Sequence, residues 1–192
     1  MKKIVLLAAT AFLAASAFAQ PKFAHVNFSE LVQLSPETDK VRETMTTASN
    51  EAQEMYEDMV EEFNSKMSAY QSKASTWSQA TRETKEKELT EIQQRIQEFS
   101  QTVQAELQQK QEELMSPIYQ KANEVVQDLA KKGGYIYVHD ISTLLYFDPA
   151  QSTDLTPDAR KVLGIPADRT LESLAAELQA QQQAAAAAAA AK

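Results

Sequence analysis

Glycine is almost absent from this chain, which has 3 in 192 residues and none in the 93 residues from Lys40 to Lys132. The same stretch contains a single proline, Pro117, and is dominated by Glu, Gln, Lys, Ala, Ser and Met. Because glycine and proline are the residues that most disfavour a helix interior, this composition predicts long helices.

Cysteine is absent as well, and basic residues are outnumbered by acidic ones. We therefore expect no disulfide framework, no thiolate chemistry and no lipid-modified cysteine. The formal net charge is -8, and it becomes -10 once a leader containing Lys2 and Lys3 is removed. Nucleic acid is not an expected partner, because phosphate binding requires a basic surface.

Residues 1–19 have the pattern of a secretory signal peptide. Two lysines precede an apolar segment too short to span a membrane, and Ala17-Phe18-Ala19 is a small-x-small cleavage site. We expect a mature chain that begins at Gln20. Because no later segment is apolar for long enough to cross a bilayer, the sequence predicts a soluble protein in an exported compartment.

Apolar residues in the glycine-free stretch recur every three or four positions, which indicates two amphipathic helices. A single helix would be about 140 Å long at roughly 1.5 Å per residue and would leave both apolar stripes unpaired. An antiparallel hairpin is therefore predicted, with its bend in Ala74 to Glu83 and Thr81 as the cap of the second helix. Its register would place the polar residues 108–113 opposite 49–51.

Short strand-like segments flank the hairpin at Lys22 to Phe28 and at Gly134 to Asp140, and a third strand is predicted at Thr143 to Asp148. Gly133 and Gly134 are expected to end the second helix. A short helix follows, with Thr156 as its cap and Gly164 just past its end.

The predicted fold class is α+β, with a long antiparallel helical hairpin, a coiled-coil-like arm, projecting from a small β-sheet body. A few short strands with apolar side chains on both faces are not stable alone, so we expect identical copies to complete the sheet. The candidates for this contact are Val26, Tyr135, Ile136, Tyr137, Val138, Leu144, Leu145 and Tyr146.

The order of elements, with "FAHVN" before the hairpin and "GYIYVHDISTLLYFDPAQSTDLTPDARKVL" after it, resembles the Skp/OmpH-like family of periplasmic chaperones. Residues 138–140, 144–146 and 154–156 occupy the positions of that family's closing motifs. The resemblance covers about residues 20–164. It implies a homotrimer whose strands form a central β-body and whose three hairpins surround a cavity for unfolded outer-membrane proteins, without ATP.

This resemblance divides the chain into a signal peptide (1–19), a chaperone domain (20–164) and an Ala/Gln-rich tail (165–192). Within the domain, the body comprises 20–39 and 133–164, and the helical arm comprises 40–132 with its tip near 75–84. The chain differs from well-known members in its acidity, in His139 within an apolar strand, and in the tail. The acidity argues against binding of lipopolysaccharide or anionic lipid.

Methionine and aromatic side chains on the arm are the candidates for contact with client proteins, because such side chains adapt to varied apolar surfaces. Packing within the hairpin is the alternative interpretation. The less acidic tip beside Trp77 could also touch a membrane, or be an ordinary solvated turn. The candidates are Met45, Met55, Tyr56, Met59, Val60, Phe63, Met67, Tyr70 and Trp77.

No active-site constellation emerges from the sequence. His139 and Asp140, joined by His25 if the strands are neighbours, resemble half of a metal or general-base site, but a pair of structural histidines is the alternative. We expect no enzymatic activity, cofactor or metal. The predicted function is that of an ATP-independent holdase, with a coiled-coil tether or adaptor of the cell envelope, or a hydrolase, as alternatives.

Overall fold

A computed structural model of the chain describes residues 21–190, and side chains for residues 21–188. The predicted signal peptide lies outside the described residues. No helix within residues 21–190 combines the length and the hydropathy that spanning a bilayer requires. The elements in chain order are β1 (Lys22–Val26), α1 (Phe28–Gln33), α2 (Pro36–Lys73), α3 (Gln79–Gly133), β2 (Tyr135–Asp140), β3 (Ser152–Asp154), α4 (Thr156–Leu163) and α5 (Leu171–Ala190).

The chain forms two compact units. One runs from Glu37 to Ile118 and holds most of the two long helices, and the other combines the two ends of the chain, up to Pro36 and from Tyr119 onwards. Helix α3 continues through Pro117 without a break.

The unit from Glu37 to Ile118 is an antiparallel helical hairpin. The ammonium of Lys66 lies 3.5 Å from the Glu88 carboxylate, and Arg95 donates to Glu62 at 3.0 Å, so residues further along α3 meet residues earlier on α2. Small and branched apolar side chains from the predicted stripes are buried in this unit: Val41, Ala48, Ala52, Leu89, Ile92 and Ile118.

The turn of the hairpin is short. After α2 a single 3₁₀ turn covers Ala74–Thr76, and α3 begins at Gln79, within the segment where the bend was predicted. The cap of α3 is Ser78, whose hydroxyl accepts a hydrogen bond from the backbone N–H of Thr81 at 3.2 Å. The prediction that Thr81 caps the helix is therefore wrong, because the helix starts one turn earlier.

The other unit contains a three-stranded parallel sheet in the order β2-β1-β3. The central strand β1 pairs His25 with His139 on one side and with Asp154 on the other. Helices α1 and α4 are in contact beside it. Apolar residues of β1, of α1 and α4, of the positions adjoining these two helices and of α3 form the buried core of this unit: Ala24, Val26, Leu31, Val32, Leu34, Ala122, Val126, Leu155, Ala159 and Leu163.

The third strand is not where the sequence predicted it. Residues 141–143 form a 3₁₀ turn and 144–149 have no strand pairing, although they are apolar and aromatic. Strand β3 is instead the polar segment Ser152–Asp154. Its position is fixed by contacts to β1: the N–H of Leu155 donates to the carbonyl of His25 at 2.9 Å, and the His25 ring hydrogen-bonds the Ser152 hydroxyl at 2.8 Å.

Glycine ends two helices as the sequence predicted. Helix α3 ends at Gly133, followed by Gly134 with a φ of 70°, and Gly164 has the same left-handed φ after α4. The predicted cap of α4 is wrong. Thr156 is already helical, its N–H donates to the Asp154 carboxylate at 2.8 Å, and its hydroxyl accepts from the N–H of Asn27 at 2.9 Å.

The C-terminal tail contains the 20-residue helix α5, which starts at a reciprocal cap between Thr170 and Ser173. Leu174 on its first turn is only 5% exposed. The guanidinium of Arg160 stabilises the loop between α4 and α5, because it donates to the carbonyls of Pro166 (2.6 Å) and Arg169. It also pairs with Glu30. The first turn of the tail is therefore packed on its own unit.

Candidate functional site

The client-contact candidates are distributed along α2 and the turn of the hairpin. Met55 is 52% exposed and Tyr56 is 38% exposed. By helical spacing these two side chains flank the stripe that contains the buried Ala48 and Ala52, one on each side. The other candidates are half-buried: Met45, Met59, Val60, Phe63, Met67, Tyr70 and Trp77. Their role as client contacts stays a prediction.

Acidic residues surround Met55 and Tyr56. Six carboxylates and no basic residue occupy positions 51–62 of α2. Of these, Glu62 is paired with Arg95 across the hairpin and with Lys66 on its own helix. The surface around these two side chains is therefore strongly negative.

Charged and aromatic groups pack around the tip of the hairpin. The Tyr70 hydroxyl hydrogen-bonds the Glu86 carboxylate, which raises the pKa of Tyr70 above its ordinary value, and the Tyr70 ring contacts the edge of Trp77 at a centroid distance of 5.9 Å. Hydrogen bonds from the Lys85 ammonium at 2.9 and 3.0 Å lower the pKa of Glu88. The bond between Tyr70 and Glu86 joins the two helices near the turn, whereas the pair of Lys85 and Glu88 lies within α3.

Most of the predicted subunit-contact residues are accessible, with one exception. Ile136 is 57% exposed on β2, which is an outer strand of the sheet, and Tyr137, Leu145 and Tyr146 are exposed as well. Val26 is 3% exposed because it lies on the central strand within its own chain. Val26 is therefore not available for a contact between copies. The half-buried candidates are Tyr135, Val138 and Leu144.

The two histidines and Asp140 do not form a catalytic arrangement. The His25 ring hydrogen-bonds Ser152 and packs on Phe147 at a centroid distance of 4.3 Å, while His139 is exposed beside Tyr137. The Asp140 carboxylate accepts a hydrogen bond from the N–H of Ser142. Within residues 21–190 no group of three or more acidic or histidine side chains is placed to hold a metal ion.

A cavity of about 480 Å³ lies at the carboxyl ends of β1 and β3. Its polar groups already have partners within the unit. The Asn27 side chain accepts from the N–H of Glu30 at 3.1 Å, the Asp154 carboxylate accepts from Thr156, and Arg160 pairs with Glu30. The arrangement explains the local structure without requiring a ligand.

A second, larger cleft of about 770 Å³ lies between α2 and α3 in the hairpin unit. Gln108, Gln111 and Glu112 line one side of it and Ser49 and Asn50 line the other, among others. These residues belong to the two polar interruptions of the apolar stripes, which the sequence predicted to lie opposite each other in the hairpin. Helix α3 has no apolar residue between Leu107 and Leu114, and the helices leave a cleft at this level.

A long antiparallel helical hairpin, together with a small sheet built from both chain ends, defines a two-part α+β class of protein. The sequence model of the family described as outer membrane protein (OmpH-like) matches residues 22–163. The chain therefore belongs to the OmpH-like family, as its resemblance predicted. Helix α5 lies beyond the matched residues.

Two similar proteins support this assignment. The chaperone protein Skp of Yersinia enterocolitica is 29% identical over 150 residues, which cover 78% of this chain and 90% of the relative. The crystal structure of an OmpH-like protein from Caulobacter crescentus matches with a TM-score of 0.65 at 19% identity, over 76% of this chain and 85% of the other. The fold comparison confirms the α+β class with a helical hairpin. Together the comparisons place the chain in a family of outer membrane chaperones.

Proposed function

We propose that this protein is an ATP-independent holdase of the periplasm that keeps unfolded outer-membrane proteins from aggregating. The main support for the proposal is the helical hairpin, in a chain that belongs to a chaperone family. The hairpin leaves Met55 and Tyr56 exposed on an acidic surface. Met and Tyr side chains can contact many apolar sequences, and the carboxylates around them keep a loaded complex soluble.

Capture by enclosure requires more than one arm. We propose that the protein is a homotrimer joined through the outer strand β2 and the exposed residues Leu145 and Tyr146. An unpaired strand edge next to exposed apolar side chains is a surface that proteins normally cover. Several weak contacts from three arms would then hold a client through their combined effect, without selecting one sequence.

The test is the suppression of aggregation. A urea-unfolded outer-membrane β-barrel protein is diluted into buffer with the purified mature protein and no nucleotide, and light scattering is followed over time. We expect scattering to be abolished at a small molar excess of trimer. The variant with Met55→Ser and Tyr56→Ser should need several times more protein, whereas Val162→Ser with Leu171→Ser, which removes two exposed apolar residues outside the arm, should behave as wild type.

One result would count against the holdase. If the wild-type protein leaves the scattering unchanged, the chain does not act as a chaperone on such clients. An assembled protein without suppression would favour the alternative of an envelope tether or adaptor.

A further inference from the structure

Four of the nine side chains that line the cleft in the hairpin are carboxamides. Asn50 from α2 and Gln104, Gln108 and Gln111 from α3 converge on it, and half-buried Met45 and Leu107 supply its apolar part. All of these residues lie in the unit from Glu37 to Ile118, so the cleft belongs to one compact body.

The amides of this cleft are largely free to bind a ligand. Asn50, Gln104 and Gln111 are exposed and make no hydrogen bond to another side chain within residues 21–188. Gln108 alone is engaged, because its amide donates to the Glu112 carboxylate at 3.1 Å. Each free amide offers two N–H donors and a carbonyl acceptor, which is the same pair of functions that a peptide bond presents.

We propose that this amide-lined cleft binds an extended segment of an unfolded client through the client's backbone N–H and C=O groups. The inference rests on the proposed holdase function and names the site and the chemistry by which one arm holds its client. Extended polypeptide has unpaired backbone groups at every residue, whereas a folded protein has paired them. Recognition of these groups is independent of side-chain sequence, as a chaperone for many clients requires.

The size and charge of the cleft fit this occupant. The lining residues of α3 run from Gln104 to Glu112, about 12 Å at roughly 1.5 Å per residue, which matches three to four residues of extended chain at about 3.3 Å each. Glu112 in the cleft and Glu51 beside it disfavour an anionic ligand such as a lipid phosphate. Met45 and Leu107 can accommodate an apolar side chain of the segment.

The experiment uses a composition-matched pair of full-length variants. The cleft variant carries Asn50→Leu, Gln104→Leu and Gln111→Leu, and the control carries Asn64→Leu, Gln94→Leu and Gln97→Leu, which are exposed amides on the same two helices outside the cleft lining. Met45 and Leu107 already lie in the cleft, so the new leucines add to the apolar contact between the two helices. The hairpin of the cleft variant should therefore melt at the same or a higher temperature.

Affinity is measured by fluorescence anisotropy with a labelled, urea-unfolded outer-membrane protein. We expect the cleft variant to bind about tenfold more weakly, since several hydrogen bonds are lost together, and the control to bind as wild type. In the wild-type protein, the side-chain NH₂ signals of the three cleft amides should shift on addition of client in NMR spectra. A ten-residue strand peptide of the client should compete, and its counterpart with alternate backbone amides N-methylated should not.

Each of the other results would contradict client binding at the cleft. Equal affinity of the cleft variant and wild type, equal weakening of both variants, or unmoved NH₂ signals in a protein that binds client would exclude the site and leave the holdase intact. If the wild-type protein binds no unfolded client at all, the proposed function fails, and the cleft fails with it.

Discussion

Arg160 has several partners in the unit made from the chain ends. Its guanidinium pairs with Glu30 on α1 and donates to the carbonyls of Pro166 and Arg169, and its side chain is only 15% exposed. A planar group with five donors can serve an ion pair and two carbonyls at once, which a lysine cannot do. One residue therefore connects α1, α4 and the start of the tail.

Arg160→Ala should lower the free energy of unfolding by about 2 to 3 kcal/mol, because Glu30 and two carbonyls lose a shared, largely buried partner. The control is Lys161→Ala, which removes the exposed pair with Asp158 and should cost less than about 0.5 kcal/mol. Urea unfolding followed by circular dichroism at one fixed protein concentration makes the comparison. Equal effects of the two variants would contradict the role given to Arg160.

Tyr70 provides a second test at this scale. Its pKa is raised because its hydroxyl donates to the Glu86 carboxylate, so Glu86→Gln should move the pKa of Tyr70 back towards 10. A raised pKa means that this contact stabilises the folded hairpin at neutral pH and is lost as the pH rises above 10 through the folded value. NMR titration of the tyrosine rings measures the shift. The control is Glu83→Gln, which removes a nearby carboxylate that is bonded to Gln79. It should leave the pKa of Tyr70 unchanged.

At the scale of the elements, the long helices were predictable and the third strand was not. Two apolar stripes with a period near 3.6, in a stretch without glycine, predicted a helical hairpin. Its turn lies where Ser and Thr cluster. The segment from Thr143 to Asp148 has high strand propensity, yet Ser152–Asp154 became β3. Hydrogen bonds of Ser152 and Leu155 with His25 on β1 stabilise that pairing. Local propensity does not report such distant partners.

The candidate site was predictable in a similar, partial way. The apolar spacing identified the arm residues, and the polar interruptions at 49–51 and 108–113 indicated a level where the seam is weak. The sequence could not show that Met55 and Tyr56 are more exposed than the other arm candidates, or that Val26 is buried. Exposure depends on the crossing of the helices and on strand order, which periodicity alone does not determine.

Helix α5 gives the prediction for an element. Leu174 is buried, so Leu174→Ala should lower the free energy of unfolding by about 2 to 3 kcal/mol. Leu171→Ala, on the same helix at 38% exposure, should cost less than about 1 kcal/mol. Thermal and urea unfolding of both variants compare the two effects, and a harmless Leu174→Ala would show that the tail does not pack in solution.

At the scale of the whole molecule, the assembly can be tested apart from the chaperone activity. Light scattering should give three times the mass of the mature chain. Ile136→Asp places a charge on the outer strand β2 and should yield monomers, whereas Val162→Asp, at a similar exposure of 61% on α4, should leave the trimer intact. A stable trimer of the Ile136→Asp variant would exclude β2 from the subunit contact.

The position of β1 at the centre of the sheet also determines the order of folding. Lys22 at its start bonds the Gly133 carbonyl 111 residues away, and His25 bonds Ser152 127 residues away, whereas Lys66 and Glu88 at the hairpin tip are 22 apart. Local contacts form before distant ones. A growing or partly exported chain can therefore close its hairpin early, but its first strand has no partner until β2 at Tyr135–Asp140 has emerged, and the sheet is complete only once Asp154 has emerged. Formation of the sheet is then the slow step, and a mixing experiment should resolve it as a phase separate from the hairpin.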